Sequence, residues 1–281
     1  RVNLDYSPSD NVLWYLSQTT GHRAGGFNLG YFSAFPSYDS ERVTSTELGH
    51  KGSYLDNTLQ INASMYQYVY ENIHGQFQAQ SFLGGTSTSV IPYPEAQTDG
   101  FEMEVIYMPQ PNWTIGGNYS YTDARYSKEL IDAFGNVGNI DVDNPEAPGS
   151  LYTIKEREVP ILNRKLERIP DNKMSFWSNY TQEVSGGSID YLVGFSWTDE
   201  ILWNDSGLDM DVSPAFTRLD LKATWKNNEG DLDIMFFINN VTDKIGVRNM
   251  TSDDETQGFL RSLTPTLPRM GGISFTKRFG G

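Results

Sequence analysis

AFTRLDLKATWK, residues 215–226, is followed by NNEG at 227–230 and by DLDIMFFINNV at 231–241. Ala215, Leu219, Leu221, Ala223 and Trp225 are apolar, while Arg218, Asp220, Lys222, Thr224 and Lys226 are polar or charged. After the turn, Leu232, Ile234, Phe236 and Ile238 again occupy every second position. Successive side chains of a strand point to opposite faces, so this alternation assigns the two sets to two sides. The spacing predicts a long β-hairpin with one apolar and one polar face. A single hairpin of this kind also suits an ordinary soluble sheet. Recurrence of the pattern along the chain separates the two cases.

Strand-like segments and turns alternate from one end of the chain to the other, and about eleven strands are expected. Phe101, Met103, Val105 and Tyr107 share a face, as do Ile189, Tyr191, Val193, Phe195 and Trp197. The connections alternate in length. Short turns fall near Pro8, Asp56, Pro111, Gly186 and Asn228, and long loops at 21–42, 74–96, 127–171, 204–214 and 242–268. In an up-and-down antiparallel sheet, alternate connections lie at opposite ends, so the long loops share one end. Loops beyond about 12–15 residues are uncommon in compact domains. Short turns at one end and long loops at the other mark outer-membrane barrels. Tyr6, Tyr54, Tyr107, Trp113 and Trp225 stand close to the short turns, where amphipathic rings suit a membrane–water boundary.

Composition points the same way. Hydrophobic residues make up 38%, low for a soluble core, yet there are 16 Tyr, 15 Phe and 6 Trp. A barrel with a polar interior needs only one apolar face per strand. No run of 18 or more apolar residues is present, so no membrane-crossing helix is expected. Cysteine is absent, which excludes disulfides and thiolate metal sites. The net charge of −15 argues against nucleic acid as a partner. The first six residues read as the middle of a strand with no leader, so the chain is expected to be a piece of something longer.

No catalytic constellation, cofactor loop or metal site is expected. His22, His50 and His74 are scattered, and no nucleophile–base order or phosphate-binding loop is present. Glu102 and Glu104 lie two apart on one strand and point the same way, so alone they do not bracket a glycosidic bond. The acidic stretches 139–146 and 205–211 lack the full calcium-loop pattern and are expected to be solvated.

GHRAGGFN (21–28) carries a Gly-Phe-Asn stretch, and STELGHKGSYLDNTLQINASMY (45–66) a Glu-x-Gly-x-Lys strand. DGFEMEVIYMPQPNWTIGGNYSYTDARY (99–126) holds a Gly-x-Glu strand, a Pro-containing turn and a Gly-x-Tyr-x-Tyr return. FFINNVTDK (236–244) and TPTLPRMGGISFTKRF (264–279) follow. In this order the set resembles the C-terminal half of a TonB-dependent outer-membrane receptor. The resemblance implies an all-β, antiparallel up-and-down transmembrane β-barrel. Residues 1–281 would supply about eleven strands of an expected 22, with the plug domain absent from them. It further implies the outer membrane of a Gram-negative bacterium and uptake of a scarce nutrient, a ferric siderophore or similar complex. The implied partners are an N-terminal barrel half and plug, the TonB energy-coupling system through that part, and outer-membrane lipid. The C-terminal strand would meet the barrel-assembly machinery.

Site residues follow from the two faces and the loops. A Lys or Arg facing lipid costs roughly 2–4 kcal/mol at midplane. Glu102, Glu104, Arg218, Asp220, Lys222 and Asp233 are therefore expected to face the lumen, where in this family such groups meet the plug. Leu219, Leu221, Ile234, Phe236, Val193 and Phe195 are expected to face outward. Exposed loop aromatics suit ligand recognition, which nominates Phe27, Asn28, Tyr31, Phe35, Tyr38, Tyr93 and Tyr152 for ligand binding. Residues 2–6 and 270–279 both run toward the short-turn end. Their direct pairing would be parallel, so an open sheet is expected. Two rival architectures are a soluble, secreted, aromatic-rich β protein that binds glycans and a small self-closing porin. The first requires the apolar face to be buried between two sheets, and the second requires the end strands to pair.

Overall fold

The structure, a computed structural model, describes residues 1–28, 37–81, 85–128, 161–203, 211–252 and 261–279, and within these the side chains of 76–81, 85–89, 91 and 252 are left aside. Seventeen strands are assigned there: β1 (Val2–Ser9), β2 (Val12–Arg23), β3 (Gly26–Phe27), β4 (Ser37–Tyr38), β5 (Glu41–Tyr54), β6 (Leu59–Ser81), β7 (Gly85–Gln110), β8 (Trp113–Tyr126), β9 (Asn172–Val184), β10 (Gly187–Thr198), β11 (Ile201–Leu202), β12 (Val212–Ser213), β13 (Phe216–Asn227), β14 (Leu232–Asn239), β15 (Val247–Ser252), β16 (Arg261–Pro265) and β17 (Met270–Lys277). Eleven form one antiparallel sheet in the order β1-β2-β5-β6-β7-β8-β9-β10-β13-β14-β17. The other six make three two-stranded ladders, β3–β4, β11–β12 and β15–β16. Among the described residues, no helix is long and apolar enough to cross a membrane.

The register explains the alternation. Leu16, Leu48, Met65, Phe101 and Tyr121 are successive partners across β2, β5, β6, β7 and β8. Tyr191, Ala223, Phe236 and Ile273 are successive partners across β10, β13, β14 and β17. These residues form an apolar band on one face, and that band is open to its surroundings: Met65 is 60% exposed and Phe236 52%. Leu221 and Val193 are likewise exposed, and Leu219, Ile234 and Phe195 half-exposed. A soluble sandwich would bury this face. From Trp113 to Tyr121 on β8 is eight residue steps, about 26 Å along the strand. Tilted by the 35–45° usual in barrels, that is roughly 20 Å, close to the about 25 Å of an outer-membrane apolar band.

The opposite face is polar, and aromatic rings on it lie flat. Tyr15 pairs in register with Gly49, and Tyr66 with Gly100. A Cβ on Gly49 would stand 2.1 Å from the Tyr15 ring, and one on Gly100 2.2 Å from the Tyr66 ring. Only glycine lets each ring settle on the neighbouring strand.

The short turns lie at one end and the long connections at the other, as the antiparallel order demands. Two boundaries differ from the sequence reading. Residues 74–96, expected as a loop, largely continue β6 and β7, which stay paired from Ile73–Tyr93 out to Ser81–Gly85. The stretch is rich in Gln, Ser and Thr, and polar and apolar residues alternate only briefly, at 76–80. Ladder hydrogen bonds need no apolar face, so the hairpin persists where a hydrophobic pattern does not. Likewise β10 ends at Thr198 rather than running to Trp203, and β11 leaves the wall to pair with β12.

The two end strands, β1 and β17, are unpaired with each other, and the sheet is open. Near the short-turn end, β17 is fastened to the β13–β14 turn. Arg278 N–H donates to the Asp231 carbonyl at 2.7 Å, and Lys277 pairs with the Asp231 carboxylate. The Lys277 ammonium, helped by the Asn227 amide, holds the Asp231 carboxyl below the usual carboxylate range.

Two outcomes are expected. Replacing Leu221 with Arg puts a cation in the band and should destabilise the folded chain in lipid by about 2–4 kcal/mol. Thr224→Arg on the polar face should cost far less. Urea titration in lipid vesicles measures both. Because the folded pKa of Asp231 is depressed, its contribution is fully present above the ordinary carboxylate pKa of about 3.9. It is lost as pH falls through the lower folded value. Exchange at the Arg278 amide should therefore quicken on acidification relative to mid-strand amides, and Asp231→Asn should abolish that difference.

Candidate functional site

Two regions carry polar chemistry: the polar face of the wall and the end where the long connections gather. Alternation places Glu102 and Glu104 of β7, Arg218, Asp220 and Lys222 of β13, and Asp233 of β14 on the polar face, with β8, β9 and β10 between the β7 pair and the others. Glu104 accepts a hydrogen bond from Asn62 Nδ2 at 3.1 Å, between register partners. Arg218 Nε donates to both Asp220 oxygens, at 2.9 and 3.0 Å. Asp220 Oδ1 also accepts the Asn240 N–H at 2.7 Å. Asn240 is almost fully buried, and its Nδ2 donates to the carbonyls of Lys244 and Leu267. Asp220 thus holds the start of the connection from β14 to β17 at Asn240, and the Asn240 side chain ties that start to Leu267 near its end. Asp233 pairs with Arg278 at 2.6 Å. Glu102 and Lys222 are exposed and form no ion pair among the described residues.

At the long-connection end, separate segments lock onto one another. The Asn28 carboxamide donates to the Val90 carbonyl at 2.9 Å and accepts the Val90 N–H at 2.8 Å. A side chain here imitates a strand and fastens the β3–β4 ladder to β7. Tyr38 of β4 sets its ring edge-on to His74, centroids 4.9 Å apart, and the His74 ring bonds the Asp39 carbonyl at 2.8 Å. Ala96, Tyr126 and Ile161 form a small buried cluster, with Tyr70, Ile73, Tyr93 and Leu166 packed against it. The Tyr93 and Tyr126 rings lie 4.9 Å apart. Further round, Trp203 N–H donates to the Asp211 carbonyl, and its indole N–H donates to Ser213 Oγ at 2.9 Å.

Of the loop residues nominated from sequence, Phe27 is 77% exposed in β3, while Asn28, Tyr38 and Tyr93 help to build the end itself. Tyr31, Phe35 and Tyr152 lie outside the described residues. Asp211, expected in a solvated loop, is fully buried and paired with Arg261. The correction has a physical cause: the guanidinium that neutralises it stands fifty residues away, invisible to any local pattern. The same holds for His74, Asn240 and Ile161. Among the described residues, no group of three or more His, Asp or Glu side chains is placed to hold a metal ion.

Asn28→Ala removes both bonds to Val90. Each net hydrogen bond is worth about 0.5–1.5 kcal/mol, so the Val90 amide should exchange several-fold faster or more, with mid-wall amides of β7 unchanged. Hydrogen-exchange mass spectrometry measures the ratio.

Residues 1–241 match the family model described as TonB dependent receptor-like, beta-barrel. The chain is 20% identical over 253 residues to a probable TonB-dependent siderophore receptor, PiuA, of Acinetobacter baumannii, covering 87% of this chain and 30% of that protein. It superposes on the crystal structure of that receptor with a TM-score of 0.67 at 18% identity, over 97% of this chain and 34% of the other. On the ferric yersiniabactin uptake receptor FyuA from Yersinia pestis the TM-score is 0.72 at 14% identity, over 99% and 37%. On the copper transporter OprC it is 0.66 at 16% identity, over 98% and 38%. The chain spans about a third of the length of these relatives. Family members are receptors and transporters of the Gram-negative outer membrane. With an open eleven-stranded antiparallel wall, an outward apolar band and a family match over most of its length, this chain belongs to the TonB-dependent receptor β-barrel family.

Proposed function

We propose that this chain forms wall and mouth of a receptor that takes up a ferric siderophore, or a similar scarce nutrient complex, across the outer membrane. The observation that carries the reading is the two-faced sheet. One face suits lipid, the other carries charge toward an interior, and the long connections interlock at a single end. The named relatives that are siderophore receptors support the cargo class. In this reading residues 1–281 are the C-terminal part of the barrel. Further strands and a plug outside this sequence close it, energy arrives from the TonB system through that part, and the barrel-assembly machinery meets β17. Glu102, Glu104, Arg218, Asp220, Lys222 and Asp233 line the lumen toward the plug. Phe27 and Tyr38 offer rings to the ligand, with Tyr31, Phe35 and Tyr152 in the same role. Asn28 and Tyr93 shape the mouth around them. The reaction assigned is movement of cargo, with no covalent step.

The test is uptake of iron-55 siderophores of hydroxamate, catecholate and mixed types by iron-starved cells carrying this receptor alone. Accumulation of one type should require the receptor and stop when the proton gradient is collapsed. Phe27→Ala should weaken binding of that siderophore about tenfold at equal surface abundance, as loss of an aromatic contact worth over 1 kcal/mol does. Equal uptake with and without the receptor for every type would overturn the proposal.

A further inference from the structure

The outer face of the wall is uneven at its β17 end. Ala223 stands between Tyr191 and Phe236 in one register row, and Gly271 stands beside Ile238 in the next. These small residues, one on each side of β14, leave a depression of about 530 Å³ bordered by Leu221, Phe236, Ile238 and Ile273. The side chains around it are members of the apolar band.

Above the depression, at the long-connection end, two cations are brought to one rim. The almost fully buried Asn240 donates through Nδ2 to the carbonyls of Lys244 at 2.8 Å and Leu267 at 3.2 Å. Asp243 Oδ1 accepts the Arg269 N–H at 2.8 Å. The start and the end of the β14–β17 connection are therefore held together in advance, and such preorganisation lowers the cost of binding. Lys244 Nζ donates to Thr217 Oγ1 at 3.1 Å. Thr217 lies on the same side of β13 as Leu219 and Leu221, so the ammonium sits on the apolar side of the wall. Arg269 precedes Gly271 by two residues, about 7 Å along the strand. Its guanidinium donates to the Val241 carbonyl at 3.3 Å and lies 3.5 Å from the Asp243 carboxylate, with 54% of the side chain exposed. Lys244 forms no ion pair among the described residues, so one carboxylate serves two cations. At the short-turn end of the same strands each cation has its own carboxylate, Lys277 with Asp231 and Arg278 with Asp233. Ile245 and Leu267 stand beside the two cations and are themselves exposed.

An apolar depression in the lipid-facing band, with excess positive charge at one rim, suits an amphiphile with an anionic head. Phosphate oxygens take strong charge-assisted bonds from ammonium and guanidinium groups, and basic sites at a membrane surface bind phosphorylated head groups. A free phosphate would leave the depression unused, and a neutral lipid would leave the charge unanswered. Long connections of outer-membrane barrels face the outside, which places the rim in the outer leaflet. We infer that this patch seats a phosphorylated, multiply acylated glycolipid of the outer leaflet, with its phosphate on Lys244 and Arg269 and an acyl chain in the depression over Ala223 and Gly271. The inference rests on the membrane-wall reading of the fold and is independent of the cargo.

Native mass spectrometry of the full-length receptor tests it, after the protein is stripped of lipid in detergent and offered lipid A or its dephosphorylated form. The unaltered receptor should retain lipid A and should hold the dephosphorylated lipid about tenfold more weakly, as loss of a charged hydrogen bond does. Lys244→Ala with Arg269→Ala should bring lipid A down to that weaker level. Gly271→Leu should also weaken retention by filling the depression without altering charge, and the site has room for the change, since a Cβ there meets nothing closer than 3.4 Å. Lys173→Ala, an exposed change on the polar face of β9, should leave retention as it was. Inorganic phosphate in large excess should fail to displace the lipid. Where the double variant does not fold, Lys244→Ala alone and the two lipids on the unaltered receptor carry the same comparison. Equal retention of the two lipids by the unaltered receptor would overturn the inference. So would unchanged retention in the charge variants or in Gly271→Leu, or displacement by inorganic phosphate. The receptor's uptake of any siderophore has no bearing on these outcomes.

Discussion

A backbone that lies in hydrocarbon must find every hydrogen-bond partner within the protein, since lipid offers none. The architecture of this chain follows from that requirement. Nine of the eleven wall strands have neighbours on both sides, and their donors and acceptors are spent on those neighbours. Only β1 and β17 keep a free edge. β1 is exposed along its whole length. Such edges are the places where further strands attach in a closed barrel, and the relatives, about three times as long, have room for them.

Once the ladder is fixed, the side chains have little choice. Pleating sends alternate residues to opposite faces, so one face meets lipid and the other does not. The outer face is filled with Leu, Met, Phe and Ile. The polar face carries some of its charges as neighbouring pairs, such as Arg218–Asp220 and Lys226–Asp190, and others, such as Glu102 and Lys222, without an ion pair among the described residues. Antiparallel order then gathers the long connections at one end. There the connections and the strand ends pack on one another through Tyr93 and Tyr126, Asn28 and Val90, Asp211 and Arg261. The lipid-spanning wall and the end where the long connections gather are thus held by different forces: ladder bonds in one, a few side-chain contacts between distant segments in the other.

That division also explains what could be read from the sequence. The stretch 215–241 announces its two faces because the faces follow from spacing alone. The strand count, the open order and the placement of the long connections followed in the same way. The outward extension of β6 and β7 was hidden, because a paired hairpin outside lipid needs no hydrophobic alternation. The mouth was hidden more deeply. Asn28 was legible as part of a Gly-Phe-Asn stretch, but nothing local indicates that its amide would pair with Val90, 62 residues away. Asp211 sits in an acidic stretch that looks solvated until the distant Arg261 closes on it. Contacts between connections depend on where the wall brings them, and the wall has to be built before they can be seen.

The claim on which this account rests is that the apolar face of the wall meets lipid and the charged face does not. A nitroxide scan along β13, one residue at a time from 217 to 226 in the receptor reconstituted into vesicles, tests it directly. Collision with dissolved oxygen should peak at 219, 221, 223 and 225, and collision with a water-soluble nickel chelate should be low at those positions, with a period of two. If those four positions were shielded from oxygen and nickel alike, the face would be packed against protein, and the membrane-wall account would be contradicted.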